Sequence, residues 1–330
     1  MKAAFIITLL LPVVLSYTAN LNPLSNEFIN YINSKQSSWV AGRNFDENLS
    51  TQELKKLLGT KKRNLGDVKG FIHSENIQIP DSFDARENWK ECSDVINTIV
   101  DQSACAAGWA LAAASAMSDR RCIASQGKLK VPVSAENVVA CSRNSLGCKI
   151  GYMEDGWWYW LKNGIPTGGL YGSKQGCQPY SLQSCEHHTN GTKVDCSTLK
   201  LDTPTCRTQC NDPALNYKSE LTYAAGPPDW YTRVADMQRE IMTNGPVETT
   251  FRLYTDFWNY KSGVYHNVGG DYAGDHCVRV LGWGVENGVP YWLAANSWNE
   301  DWGDKGFFKI LRGKNEVKFE DQMLASRPKV

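Results

Sequence analysis

The chain has 330 residues, 42% of them hydrophobic and 21% charged, with a formal net charge of zero. That balance is ordinary for a globular protein able to bury a large core, and it leaves no net field to draw the chain to nucleic acid or to acidic membranes. The length suits two domains, or one large two-part domain with an appendage.

The N-terminus, "MKAAFIITLLLPVVLSYTAN", sets Lys2 before an apolar run that closes at Val14-Leu15-Ser16. This is the layout of a secretory signal, and cleavage is expected after Ser16, making 1–16 the signal peptide. A bilayer span is disfavoured by Pro12 and by the short run, so no membrane association is expected after cleavage. Eleven cysteines in an exported chain are expected mostly as disulfides, and the odd count leaves at least one thiol free or paired with another chain. No pair has C-x-x-C spacing and only five histidines are present, so neither a metal nor a cofactor is expected. Sequons at Asn48 and Asn190 fit export.

Residues 17–78 hold no cysteine. Phe28, Ile29, Ile32 and Trp39 fall at helix-like spacing, with Ser25 and Asn26 as capping candidates, and a polar linker follows. The run Lys61-Lys62-Arg63 reads as a solvated loop or a processing site. Residues 100–165 read as helical, in "WALAAASAMSDRRCI", "VSAENVVAC" with Ser134 near its start, and "GYMEDGWWYWLKNG" ending at Gly164. The Trp157, Trp158 and Trp160 group reads as a buried helix face. Residues 166–230 are loop-like and dense in Gly, Pro and Cys. The last third is strand-rich, with Asn287-Gly288 as a strong hairpin signal. Helices first and antiparallel strands afterwards predict an α+β fold with two facing lobes.

"VDQSACAAGWALAAASAMSDR" reads as a polar turn entering an Ala-rich helix. The position before Trp109 falls at a helix N-terminus, where free N–H groups and the macrodipole favour an anion. Thiol acyl transfer needs a low-pKa sulfur there, a histidine to pair with it, a group to orient that histidine, and oxyanion donors. The string Cys105-Ala106-Ala107-Gly108-Trp109 stands where C-G-[SA]-C-[WY] is expected, so the nucleophile position carries Gly108. His276, Asn296 and Gln102 are the remaining candidates. Singly, each has a structural explanation; in this order and with these flanks the set is specific.

The sequence resembles papain-family cysteine proteases, and within them the cathepsin B-like group. The resemblance runs through "NYINSKQSSWVAGRNF", "IPDSFDARENW", "VSAEN", "CQPYS", "CEHHTNGT", "NGPVE", "YKSGVY" and "LGWGVENGVPYWLAANSWNEDWGDKGFFKILRG". It implies a papain-like α+β fold: a signal at 1–16, a propeptide at 17–78 and a mature domain at 79–330, with a helical left lobe facing a β-barrel-like right lobe. Residue by residue it puts the catalytic cysteine on Gly108, the histidine on His276, its orienting asparagine on Asn296, the oxyanion glutamine on Gln102 and the shielding tryptophan on Trp298. An occluding loop falls at about 177–210. His187 and His188 stand where the group receives a substrate's C-terminal carboxylate, and the loop is pinned through Asp101–His187 and Lys193–Asp301. Substrate-binding positions fall on Gly151, Ile150 and Gln322, the last on a loosely aligned stretch. The implied disulfides are Cys92–Cys122, Cys105–Cys148, Cys141–Cys206, Cys177–Cys210 and Cys185–Cys196, leaving Cys277 as the free thiol. In a strand it would face away from His276, into the lobe interior.

The departures cluster. Gly108 replaces the nucleophile, Ile150 puts a β-branched side chain in the peptide-binding wall, and Ser103, Ala104 and Ala106 change with them. The first expectation is therefore a zymogen-like peptidase homologue, a pseudoenzyme that binds peptides or cystatin-like inhibitors in its cleft. It would need another protease to remove the propeptide, cutting between Lys61 and Ile79. The alternatives are an active cysteine endopeptidase or peptidyl-dipeptidase, and a secreted structural or antigenic protein with a vestigial cleft. The expected location is the secretory pathway, extracellular or lysosomal.

Overall fold

The computed structural model describes residues 21–61, 70–73, 77–186, 191–199 and 202–330. The helix Gly108–Ala124 runs through the middle of the molecule and is buried on nearly every side. Its alanines let neighbouring elements approach closely, and polar ties fix it at its far end. Asp119 accepts from Arg279 at 2.6 Å, and Arg120 pairs with Glu240. Beside it pack Ala135–Cys141, which Ser134 caps by accepting from the Asn137 N–H, and Met153–Asn163, which stops at Gly164 with φ of 75°. Trp157 and Trp160 are buried by this packing, whereas Trp158 stays half-exposed with the Lys162 ammonium over its ring. Truncating Trp157 to Ala would cost about 3–5 kcal/mol.

Facing these helices is one large sheet. The long antiparallel hairpin Tyr272–Glu286 and Val289–Ala295 turns at Asn287-Gly288, both at positive φ (50° and 81°); Gly and Asn tolerate that backbone at least cost. Val247–Tyr254 pairs with one side of the hairpin and Phe307–Leu311 with the other. The sheet is open, with edges at Trp39–Ala41 and Asp229–Tyr231, so the expected barrel-like lobe is not a closed barrel. Five disulfides brace the body: Cys92–Cys122, Cys105–Cys148, Cys141–Cys206, Cys177–Cys210 and Cys185–Cys196. Each adds about 2–4 kcal/mol by restricting the unfolded chain.

The N-terminal segment is bound across the sheet and then between the lobes. Its helix Asn26–Lys35, capped by Ser25, buries Phe28, Ile29 and Ile32. Trp39, read from spacing as part of that helix face, lies instead in the strand Trp39–Ala41, which adds antiparallel to Tyr260–Tyr265. The Gln36 side chain bonds both the N–H and the carbonyl of Trp39, ending the helix, and the sheet edge supplies the backbone partners. A Ser50–Glu53 capping box opens the short helix Thr51–Lys55. The chain then threads the groove between the lobes, where Thr60–Lys61 pairs with Gly151–Tyr152 on one wall and with Asp275 on the other.

Candidate active site

Gly108 opens the central helix, at the floor of this groove. A Cβ built there would lie 2.8 Å from His276 Cε1, 3.0 Å from His276 Nδ1 and 3.3 Å from Gln102 Oε1. Three of the four positions singled out for acyl transfer therefore converge on one point. The fourth joins from behind, since His276 Nε2 and Asn296 Oδ1 are 2.8 Å apart. Trp298 stacks on the imidazole with centroids 4.9 Å apart. Strand register aims the histidine here: His276 lies opposite Phe251 on Tyr272–Glu286 and Asn296 follows the end of the next strand.

His276 is fully buried, and burial pushes its pKa down to about 4, the bond to Asn296 opposing. The ring is neutral at pH 7. Its Nδ1, the atom turned toward Gly108, has no hydrogen-bond partner among the described residues. Gln102 accepts from the Ser297 hydroxyl at 2.7 Å and donates from Nε2 to the carbonyls of Cys105 and Leu57, at 2.8 and 2.9 Å. The side chain placed as an oxyanion donor is thus holding a backbone carbonyl of the chain's own N-terminal segment.

That segment fits closely. A Cβ on Gly59 would come within 2.2 Å of the Ala106 carbonyl oxygen, so only glycine passes here without displacement. The Gly59 carbonyl accepts from the Gly151 N–H at 2.7 Å. Gly151 is itself required, because a Cβ there would sit 2.2–2.4 Å from the Trp109 indole. Ile150 beside it is half-buried. Gln322 is half-buried and uses its carbonyl to accept from Thr249 Oγ1 at 3.0 Å.

Cys277 is buried on the face of its strand opposite His276, with Sγ 3.0 Å from Thr250 Oγ1. Burial and the nearby Glu248 carboxyl hold its thiol well above the usual range, and the Thr60 hydroxyl of the threaded segment lies close by. The thiol therefore meets the threaded segment, a contact that alternation along the strand could not reveal. Sequence reasoning missed Glu248, Thr250 and Met153, which gather at this spot; the only signal for the first two was the alternation in "PVETTFRLY". His187, His188 and Asn190 lie outside the described residues. Asn48 is exposed. Of the loop contacts, Lys193 Nζ lies 2.8 Å from Asp301 Oδ2, and Asp101 accepts from the Ser103 N–H at 2.7 Å. A cavity of about 600 Å³ lies against the central helix, lined by Ser115, Asp119 and Arg279 among others. No cluster of His, Cys, Asp and Glu among the described residues is placed to hold a metal ion.

A groove between two lobes, with histidine, asparagine and glutamine at its floor and a leader threaded through it, defines the class as a thiol-peptidase fold in proenzyme form. The papain family cysteine protease pattern matches residues 79–327 and the family C1 propeptide pattern residues 24–64; the chain belongs to the papain family. It is 40% identical over 318 residues to cathepsin B-like cysteine proteinase 6 of Caenorhabditis elegans, covering 92% of this chain and 83% of that one. It is 39% identical to a cathepsin B-like cysteine proteinase of Schistosoma japonicum, covering 92% and 91%. Among solved structures, procathepsin B S9 from Trypanosoma congolense superposes with a TM-score of 0.81 at 34% identity, covering 94% of this chain and all of that one.

Proposed function

We propose that this cathepsin B-like member of the papain family binds peptide segments in its cleft without cleaving them, because the nucleophile position is Gly108. One observation carries the reading: His276, Gln102 and the start of the central helix converge on a residue with no side chain, where an added Cβ would lie 2.8 Å from His276 Cε1 and 3.3 Å from Gln102 Oε1. What remains is a binding site. Gln102 donates to a ligand carbonyl and Gly151 donates to an extended backbone, as both now do for Leu57 and Gly59. Losing the nucleophile of a comparable catalytic set costs on the order of 10⁶ in kcat, roughly 8 kcal/mol of barrier. Water attacking with His276 as base would be too slow for a working peptidase.

The alternative of an active peptidase requires another nucleophile. Cys277 faces away from His276 and its thiol is held protonated by burial, while Cys105 is in a disulfide with Cys148. We take 17–78 as the propeptide and 79–330 as the mature domain, and the secretory pathway as the location. Maturation then depends on a second protease acting between Lys61 and Ile79. Cystatin-like inhibitors and free peptides are the ligands of this reading.

The test is binding to the processed chain, with the propeptide dissociated. A cystatin-type inhibitor should bind tightly by calorimetry, and a thiol-directed epoxide probe should leave the protein unlabelled. No cystatin binding would favour a vestigial cleft. Labelling in the cleft would restore the active-peptidase reading.

A further inference from the structure

The N-terminal segment touches the body at a second place that uses none of the cleft residues. Residues 70–73 lie along Asp229–Tyr231 and the helix Val234–Asn244, which belong to the far edge of the sheet. The Phe71 N–H donates to the Trp230 carbonyl at 2.6 Å, and the His73 N–H to Asp236 Oδ1 at 3.3 Å. The His73 ring stacks on Tyr231 with centroids 5.8 Å apart, and Phe71 meets both rings edge-on at 5.3 and 5.7 Å. His73 Nε2 lies 3.2 Å from Glu240 Oε2, off the hydrogen-bond axis, so that contact is electrostatic; both side chains are buried, at 8% and 2% exposure. Glu240 is also paired with Arg120 of the central helix, which fixes the carboxylate whether or not His73 is present. A Cβ on Gly70 would come within 2.3 Å of Thr232 Oγ1, so the backbone runs close to the body there too.

We infer that this face is a built docking site for an extended segment carrying an aromatic residue and a histidine two positions apart, and that it holds residues 70–73 independently of the cleft. The inference rests on the reading that a second protease processes the chain. Its consequence is specific. A cut upstream of residue 70 releases the part that threads the cleft, while the tail from Gly70 to Ile79 stays on the body. The processed form then begins before Gly70, so that the last residues of the propeptide remain attached ahead of the mature domain at Ile79. An edge strand contact, two buried polar partners and a three-ring stack protect the tail from a protease, which needs an extended segment free of such bonds.

The experiment is limited digestion of the full-length chain with thermolysin, which cuts before large apolar residues and finds them on both sides of the site. N-terminal sequencing should give Leu65 or Val68 for the natural chain. The Phe71→Ala/His73→Ala variant, which leaves the body untouched, should give Ile77 or Ile79 at the same extent of digestion. After removal of the cleft-threading fragment by gel filtration, the Phe71 and His73 amides should still exchange at least about tenfold more slowly than in the variant. Product starting at Ile77 or Ile79 from the natural chain, or loss of amide protection once the fragment leaves, would overturn the inference. A chain that matured alone in acid would instead count against trans-processing, and its new N-terminus would still report on this site.

Discussion

His276 and Asn296 are joined edge to edge at 2.8 Å, while the opposite nitrogen of the same ring faces Gly108 with no partner among the described residues. The orienting half of a catalytic arrangement is in place; on the proposed reading the reacting half is missing. Because the ring sits only 2.8–3.0 Å from where a Cβ would stand, a cysteine at 108 requires the imidazole to withdraw by a few tenths of an ångström along Trp298. Whether the buried ring can make that movement is what the Gly108→Cys variant tests.

Gln102 holds the leader through one amide nitrogen. Gln102→Glu keeps an acceptor for Ser297 but sets an oxygen against the carbonyls of Leu57 and Cys105. The isolated segment 24–61 should bind the processed chain at least about tenfold more weakly, since one hydrogen bond becomes a repulsion of 1–3 kcal/mol. Equal affinity, measured by calorimetry, would mean that Leu57 does not occupy the donor.

Gly59 packs directly against the backbone of Ala106 at the floor of the groove. Gly59→Ala in the same segment should cost about 1–3 kcal/mol, a loss of about 5- to 150-fold in affinity, through its collision with the Ala106 carbonyl. A Gly42→Ala segment is a useful comparison, since its added methyl meets only the flexible Lys261 side chain and should bind nearly normally.

Two buried groups make stability depend on pH in opposite senses. Burial raises the Glu248 carboxyl well above its usual range, the Trp157 N–H opposing. Its contribution is fully present below the unfolded value near 4.5 and is lost as pH rises through the folded value. His276 is depressed from 6.5 to about 4, so its contribution is present above 6.5 and fades as pH falls toward 4. Glu248→Gln should therefore flatten the decline in Tm above pH 5. His276→Gln should raise Tm at pH 4.5 relative to pH 7.5, by about 2–4 °C for each kcal/mol recovered. Unchanged pH profiles in both variants would show that neither group titrates as its burial demands.

Much of the architecture was legible because local chemistry agrees with the fold. Ser25 and Ser134 cap helices, Gly164 ends one, and Asn287-Gly288 turns the central hairpin. The floor of the groove was legible too, in that Gly108, His276, Asn296 and Gln102 meet. Trp39 was misplaced because spacing alone cannot see that Gln36 closes the helix and that a distant sheet edge offers partners. The docking of Phe71 and His73 was invisible for a related reason: it depends on Tyr231 and Glu240, some 160 residues away, and no local pattern encodes such a contact.

The central claim is the proposal that the chain does not turn over peptides because Gly108 stands at the nucleophile position. The most direct measurement is hydrolysis of a fluorogenic dipeptide by the processed natural chain and by Gly108→Cys, under reducing, mildly acidic conditions. The account predicts no turnover above background for the natural chain and measurable, thiol-dependent turnover for the variant. Peptidase-like turnover by the natural chain, abolished by His276→Ala and insensitive to trace-protease inhibitors, would contradict it.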